Sequence, residues 1–203
     1  MKVELVQSTP NPVTTIATIA SICYDSDPKN PLGLVKHLYK NGHHSVFEHI
    51  YFTFKIEGIS RACSHQLVRH RMCSFTQRSQ RYCSEDGFEY VTPDSVTSTT
   101  YSGAMSIAQT HYGLLQNEDV PNEDARYVLP NACCTELYLS CNLRELIHMA
   151  NERLCVRAQW EIRELVHQMV TLVDSDLQFM LVPKCQSGYL RCNEKCDKNE
   201  HES

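Results

Sequence analysis

Apolar residues recur along this chain with two different periods, which separate helical from extended segments. Between residues 143 and 173 they return every three or four positions, as at Ile147, Ala150 and Leu154, a spacing that places them on one face of an α-helix. Residues 50–56 and 135–140 instead alternate apolar with polar side chains, which is typical of half-buried strands. The pattern predicts two strands and, after a cap at Asn142, a long amphipathic helix or a pair of helices.

Capping and turn residues set the limits of the remaining elements. They predict a strand at 3–7, a strand-like stretch at 88–91, and helices over 12–23, 31–40, 60–69, 94–115 and 122–129, while Gly58 is expected to close the strand that begins at residue 50. The predicted fold class is α+β: a single domain with a small β-sheet flanked by helices, including a long C-terminal amphipathic helix. We place the domain at residues 1–183 and a polar, cysteine-containing tail at 184–203.

The composition fits an intracellular protein with one sizeable hydrophobic core. The chain has 203 residues, is 42% hydrophobic and carries a net charge of −5, which is enough to bury a core of its own. No apolar run approaches the roughly 20 residues that span a bilayer, and the N-terminus lacks a basic segment followed by an apolar one. We therefore expect a cytoplasmic protein with no membrane partner, in which the eleven cysteines are reduced thiols.

A cationic segment interrupts this acidic chain. Residues 69–82 contain four arginines, a histidine and two serines, with neither lysine nor acid among them. Solvated basic faces usually contain lysine and both signs of charge, whereas arginine forks bind phosphate in a bidentate manner and hydroxyl groups complete the shell. The segment therefore favours a ligand that carries phosphate. Because the positive charge is concentrated here, a general nucleic-acid binder is not indicated.

The spacing inside this segment resembles a known signature. Arg69-His70-Arg71, followed by seven residues and then Ser79, is similar to the RHR-x7-S motif of flavin-dependent thymidylate synthases (ThyX). Residues 42–49, 126–129 and 142–163 also resemble segments of that family, so the resemblance covers most of residues 1–183. Thr76 and Arg157 depart from it, because many members carry Asn at the first position and some carry His at the second.

The resemblance implies an FAD-dependent methyltransferase that converts dUMP to dTMP, with 5,10-methylenetetrahydrofolate as carbon donor and FAD, reduced by NADPH, as hydride carrier; tetrahydrofolate is released. It also implies a homotetramer whose sites are shared between subunits. The residues implied for FAD are Ser45, Arg69, His70, Arg71, Gln77, Asn142, Leu143, Arg144 and His148. Those implied for dUMP are Gln66, Leu67, Val68, Arg69, Gln77, Arg78, Ser79, Gln80, Arg81, Arg126 and Arg153. His43 is assigned to the folate region, and Arg153 is expected to activate the pyrimidine.

Other interpretations of the same residues stay open. Residues 43–49 hold three histidines and a glutamate, but not at a ligand spacing such as H-E-x-x-H. The tail carries Cys185, Cys192, Cys196 and His201, whose spacing does not match paired C-x2-C zinc sites, so no metal is predicted. Residues 69–82, with Phe75 and Tyr82 available for stacking, would also suit a module that binds single-stranded RNA.

Overall fold

The computed structural model of this chain describes residues 1–23, 25 and 27–193, which form two compact units. The first unit consists of Met1–Lys2, Ile56–Arg69 and Thr76–Tyr138. The second consists of Val3–Lys55, His70–Phe75 and the described part of Leu139–Ser203. Helices and strands both occur, as the α+β prediction requires.

The described residues contain four strands, seven α-helices and several short 3₁₀ helices. The strands are β1 (Lys2–Ser8), β2 (Tyr51–Ser60), β3 (Ser74–Gln77) and β4 (Cys134–Asn142). The α-helices are α1 (Pro12–Ser21), α2 (Pro31–Lys40), α3 (Arg61–Leu67), α4 (Thr99–Asn117), α5 (Asn122–Ala125), α6 (Leu143–Arg153) and α7 (Trp160–Thr171). The 3₁₀ helices are His44–His49, Arg126–Val128, Ser175–Met180 and Lys184–Gln186.

The four strands form one sheet in the order β1-β2-β4-β3. Thr9, directly after β1, donates its backbone N–H to the carbonyl of Tyr51, the first residue of β2. Leu143, directly after β4, donates to the carbonyl of Ile50, directly before β2. In both pairs the end of one strand meets the beginning of the other, so the strands are antiparallel. This pairing also places the start of α6 beside the start of β2.

Strand β2 is longer than the sequence predicts. Phe52, Phe54 and Ile56 are buried on one face, in agreement with the alternating pattern, but the prediction that Gly58 ends the strand is wrong because β2 continues to Ser60. Gly58 adopts φ +71°, a backbone conformation that only glycine reaches without steric cost. The chain can therefore bend at Gly58 without leaving the strand. Ser60 then caps α3 as predicted, because its side chain accepts a hydrogen bond from the Cys63 N–H.

The long C-terminal helix is two helices, so of the two alternatives the pair is correct. Helix α6 ends at Arg153 and α7 begins at Trp160. The side chain of Gln159 accepts hydrogen bonds from the backbone N–H groups of Glu161 and Ile162, which are otherwise without partners at a helix start. Arg163 donates to the carbonyl of Val156 in the connection, at 3.0 Å. The break is stabilised by these side chains and contains neither glycine nor proline, so periodicity alone could not reveal it.

The basic segment contains a strand that the sequence pattern did not predict, because β3 lies inside it. A four-residue strand has little propensity of its own and depends on its neighbour, here β4, for hydrogen bonds. The 88–91 stretch contains only an isolated antiparallel bridge between Tyr90 and Cys133. Among the described residues, every helix is too short or too polar to cross a bilayer.

We expect Gly58→Ala to destabilise the protein, because an L-residue in the left-handed region costs about 1–2 kcal/mol and its Cβ would lie 3.3 Å from the Met1 nitrogen. Gly103→Ala is the matched control. Gly103 lies inside α4, and among the described residues no atom beyond its chain neighbours and the surrounding helix backbone lies within 4 Å of the position that an alanine Cβ would take there, so this change should stabilise the helix by up to about 1 kcal/mol. Thermal unfolding followed by circular dichroism measures both changes, and a Gly58→Ala protein as stable as the parent would contradict the first.

Candidate functional site

A buried histidine connects an acid and an arginine in the second unit. His70 is 4% exposed, and its Nδ1 atom lies 3.2 Å from Oε1 of Glu145, which is 8% exposed. On the other side of the ring, Nε of Arg153 donates to Nε2 of His70 at 3.0 Å. Glu145 is in the first turn of α6 and Arg153 in its last turn. We call this chain of hydrogen bonds the Glu145–His70–Arg153 triad.

The donors in this triad determine the tautomer of His70. An arginine has only N–H donors, so Nε2 of His70 must accept and cannot carry a proton. The proton of the neutral ring is therefore on Nδ1, from which it is donated to the Glu145 carboxylate. Each polar group of the buried imidazole has a partner, which holds the guanidinium of the half-buried Arg153 in one orientation. The hydrogen-bond partner of Arg153 is thus His70.

Two further contacts anchor the segment that carries His70. The backbone N–H of Cys73 donates to the His70 carbonyl at 3.1 Å, and the Cys73 thiol forms a hydrogen bond with Cys141 near the end of β4. That hydrogen bond, together with burial, raises the pKa of the Cys141 thiol. Glu145 is fixed independently, because its backbone N–H donates to the side chain of Asn142, the cap of α6, at 2.9 Å. The triad is therefore supported by both β4 and α6.

A cavity of about 540 Å³ opens beside the triad in the second unit. Three of the residues that line it are predicted FAD contacts: Asn142, Arg144 and His148. Met72, which directly follows the RHR signature, and Tyr189 also line it. Since α6 presents all three predicted contacts from its cap and first two turns, the helix brings them to one cavity by its own geometry.

The cavity has polar groups that a ligand could satisfy. Asn151 lines it, and Oδ1 of this side chain is a buried acceptor with no hydrogen-bond donor among the residues that the structure describes. A buried acceptor of this kind is costly unless a ligand or water donates to it. Asn142 uses its side-chain oxygen as the cap of α6, which leaves its amide nitrogen to donate. Arg144 forms an ion pair with Glu48 on the same wall, so an anion would compete with that carboxylate.

Glu145, His70 and His148 offer three metal-ligand atoms within 4.8 Å of one another. The rings of His70 and His148 meet edge to face, with their centroids 5.7 Å apart. Both ring nitrogens of His70 already have partners, however, and one of these partners is a cation, the guanidinium of Arg153. A divalent ion would have to displace the proton that bonds His70 to Glu145 and would face that guanidinium, so the arrangement favours the hydrogen-bonded triad.

The first unit holds the second half of the signature, where carboxylates neutralise two of the arginines. Arg81 forms an ion pair with Glu123 at 2.5 Å. Arg126 donates to the backbone carbonyl of the same Glu123 at 3.0 Å, so two predicted dUMP contacts converge on one residue. Arg78 pairs with the buried Glu85 at 3.2 Å, and this hydrogen bond raises the pKa of the guanidinium. The acid-free sequence of the segment is therefore compensated by acids from elsewhere in the unit.

The other predicted contacts differ in how available they are. Gln77 donates to the hydroxyls of Ser64 and Thr135, each at 3.1 Å, and is already engaged. The side chains of Leu67 and Leu143 are fully buried, so only their backbone atoms could meet a ligand. Several predicted contacts are exposed and have no charged partner among the residues described: His43, Ser45, Arg69 and Arg71. Gln66, Val68, Ser79 and Gln80 lie in the first unit, in or beside α3 and after β3.

Sequence reasoning missed the acidic residues of the site. Glu145 was predictable in one respect, since a cap followed three residues later by glutamate is a capping-box pattern; its carboxylate bonds to His70 instead of turning back to the cap. Glu123 and Asn151 carry no local signal, whereas Glu48 belongs to the histidine-rich stretch 43–49 that the sequence singles out. None of the ten cysteines among the described residues is in a disulfide, and burial raises the pKa of Cys133 to about 12. Cys196 and His201 of the proposed tail lie outside the described residues.

Comparisons with known proteins agree on one family. A family model described as "Thymidylate synthase complementing protein" (Thy1) matches residues 4–176. The chain is 45% identical over 190 residues to a flavin-dependent thymidylate synthase of Geobacter sulfurreducens, covering 85% of this chain and 82% of the relative. It is 40% identical over 189 residues to the enzyme of that name from Pyrococcus furiosus, covering 84% and 78%.

Solved structures agree on the fold. A crystal structure of Helicobacter pylori ThyX with FAD and dUMP superposes with a TM-score of 0.78 at 22% identity, covering 89% of this chain and 97% of that one. At that identity the match supports the fold alone.

We expect Glu145→Leu to lower the free energy of unfolding by about 1–3 kcal/mol, because it leaves the buried N–H of His70 without an acceptor. Glu145→Gln keeps an acceptor and should cost clearly less, since a neutral His70 can donate to an amide oxygen. Glu48→Gln, at the exposed ion pair with Arg144, is the control and should cost less than about 1 kcal/mol. Urea unfolding measures all three. Equal losses for Glu145→Leu and Glu145→Gln would contradict the assigned tautomer.

Proposed function

Because this chain belongs to the flavin-dependent thymidylate synthase family, we propose that it methylates dUMP to dTMP with 5,10-methylenetetrahydrofolate as carbon donor and NADPH as reductant, releasing tetrahydrofolate. The observation that carries the proposal is the cavity of the second unit, where Asn142, Arg144 and His148 line one wall next to the residue that follows the RHR signature. No glycine-rich dinucleotide fingerprint occurs in the chain, so the flavin is held by these side chains and not by a Rossmann loop.

The residues of this cavity fit FAD in kind. When bound, FAD would supply the hydride, with NADPH as its reductant. Asn142 and His148 provide hydrogen bonds, and Asn151 lies on the same wall with a buried Oδ1 that has no donor among the described residues. Arg144 turns from Glu48 to the pyrophosphate, an exchange of one anion for another that costs little at an exposed pair. The exposed Arg71 adds a second cation.

The nucleotide phosphate binds in the first unit at Arg81 and Arg126. Both already contact Glu123, so the phosphate replaces a carboxylate as the partner of Arg81, with a geometry that suits the guanidinium fork. The hydroxyl of Ser79 lies in the same turn, since it accepts from the backbone N–H of Arg81 at 3.3 Å. Gln66, Gln80 and the neighbouring backbone frame the rest of dUMP.

Arg153 activates the pyrimidine. For the uracil ring to accept hydride at C6 and then attack the carbon donor from C5, negative charge that develops on N3 and its flanking carbonyls must be stabilised. A guanidinium does this without losing its own proton, and it is most effective when it is oriented before the reaction begins. The hydrogen bond to His70 supplies that orientation. His70 is therefore a positioning residue for Arg153, whatever contact it also makes with the flavin.

Assembly into a homotetramer completes the site. Most of the proposed FAD contacts lie in the second unit and most of the proposed dUMP contacts in the first, and the family's sites are shared between subunits, so the two sets of one chain can serve different sites. The cavity of a single chain is open, and a neighbouring subunit would supply its missing walls and the folate contacts around His43.

The proposed function is tested by the visible spectrum and activity of the purified protein. We expect flavin absorbance that NADPH bleaches and that dUMP with methylenetetrahydrofolate restores, with dTMP as product. The coloured, active species should elute from a sizing column as a tetramer and lose FAD on dilution. A colourless protein with a raised ultraviolet ratio from bound RNA would instead support the single-stranded RNA module, and an active, yellow monomer would refute the shared site.

We expect Arg153→Ala to retain FAD, judged by its visible spectrum, but to lose about 10²–10³ in the rate at which dUMP and methylenetetrahydrofolate oxidise the reduced flavin, since one preorganised electrostatic donor is removed. Arg153→Lys should recover only part of that rate because an ammonium lacks the planar fork. Single-turnover stopped-flow absorbance measures both variants. A rate near that of the parent in Arg153→Ala would show that Arg153 does not activate the pyrimidine.

A further inference from the structure

A second cavity in the second unit has an unusually cationic wall. It measures about 410 Å³ and is lined by the end of α6, the α6–α7 connection and the chain after Pro183. Among the residues that the structure describes, four cationic side chains contribute to the lining, Arg153, Arg157, Lys184 and Arg191, against one carboxylate, Glu152. Three of the four, all except Arg153, have no role in the function proposed above.

The backbone that carries these cations is packed. The connection that bears Arg157 is held by the hydrogen bond from Arg163 to the Val156 carbonyl. Lys184 begins the 3₁₀ helix Lys184–Gln186, which packs against α6, and its carbonyl accepts from the hydroxyl of the buried Ser187 at 2.9 Å. The same hydroxyl accepts from the backbone N–H of Leu190, directly before Arg191, at 3.2 Å.

This concentration of charge calls for an anion. The chain as a whole carries a net charge of −5, yet in the first unit acids pair with arginines of the signature, while the described part of this cavity's lining has four cations and one acid. Like charges that line a confined space repel one another, and a cavity with low-dielectric walls intensifies their field. A ligand with a single negative charge would leave most of the repulsion in place. The cavity is therefore matched to a group with two or more charges.

We propose that this cavity binds the multiply charged anionic end of a co-substrate, either the phosphates of the reduced dinucleotide or the glutamyl carboxylates of the folate. The two share the chemistry of an organic polyanion, and the inference rests on the proposed function. Arg153 ties the cavity to the chemistry, since it lines this wall and is bonded to His70. Lys184 and Arg191 then set the affinity for that co-substrate, while the phosphate of dUMP binds at Arg81 and Arg126 of the first unit.

The test uses Lys184→Gln, Arg191→Gln and the double variant in the FAD-loaded protein, with Lys40→Gln, an exposed lysine of α2, as control. One arm measures the KM for NADPH in flavin reduction. The other measures the KM for methylenetetrahydrofolate carrying one or several glutamyl groups, with the flavin reduced by dithionite. We expect each variant to raise one of these KM values about tenfold, since a hydrogen bond between charged groups is lost, and the KM for dUMP to stay unchanged.

The outcomes distinguish the phosphates of NADPH from the carboxylates of the folate, and they distinguish failure of this inference from failure of the proposed function. A rise confined to NADPH assigns the cavity to phosphate, and a rise that grows with glutamyl number assigns it to carboxylates. If the double variant matches the parent and Lys40→Gln in both arms, the inference is overturned even though dTMP is made. If the parent makes no dTMP, the proposed function fails instead.

Pyrophosphate binding then tests the cavity by itself, followed by the fluorescence of Trp160, the chain's one tryptophan. Saturable quenching that Lys184→Gln weakens supports an anion site, and the absence of quenching refutes one.

Discussion

The hydrogen bonds of the buried His70 are the constraint on which the site of this protein depends. Its ring joins Glu145 in the first turn of α6 to Arg153 in the last turn. Since one nitrogen accepts and the other donates, the imidazole is neutral and its orientation is determined. The imidazole in turn fixes the orientation of the Arg153 guanidinium. A guanidinium stabilises developing charge best when it is oriented before the reaction begins. A buried polar chain is costly unless every member has a partner, and this one is satisfied from end to end.

The net charge of the chain conceals two different arrangements of charged side chains, one in each unit. In the first unit, Glu85 and Glu123 pair with Arg78 and Arg81, so the cations of the signature are held in place by anions that a phosphate can replace. In the second unit, the described lining of the cavity at the end of α6 has four cations and one acid. The first arrangement suits exchange of one anion for another, whereas the second is suited to a ligand that brings several charges at once.

The sequence anticipated most of the elements, and the misses share a cause. Strand β4 and helices α1, α2 and α3 follow from alternation, prolines and caps, which are properties of neighbouring residues. The end of β2 beyond Gly58, the existence of β3 and the division between α6 and α7 depend on groups far along the chain or on side-chain hydrogen bonds. A four-residue strand, for instance, is stable only once β4 is beside it.

By itself, the sequence determined the chemistry available to this protein: the RHR-x7-S signature, the absence of acids around it and the cap at Asn142 are local patterns, and they are enough to indicate the flavin-dependent thymidylate synthase family. Only the tertiary structure decided which charges meet. Glu145 is 75 residues from His70 and Glu123 is 42 residues from Arg81, and no periodicity relates positions so far apart. Their pairing is a consequence of which strands and helices pack together, because hydrogen bonds and ion pairs act over a few ångströms of space, irrespective of distance along the chain.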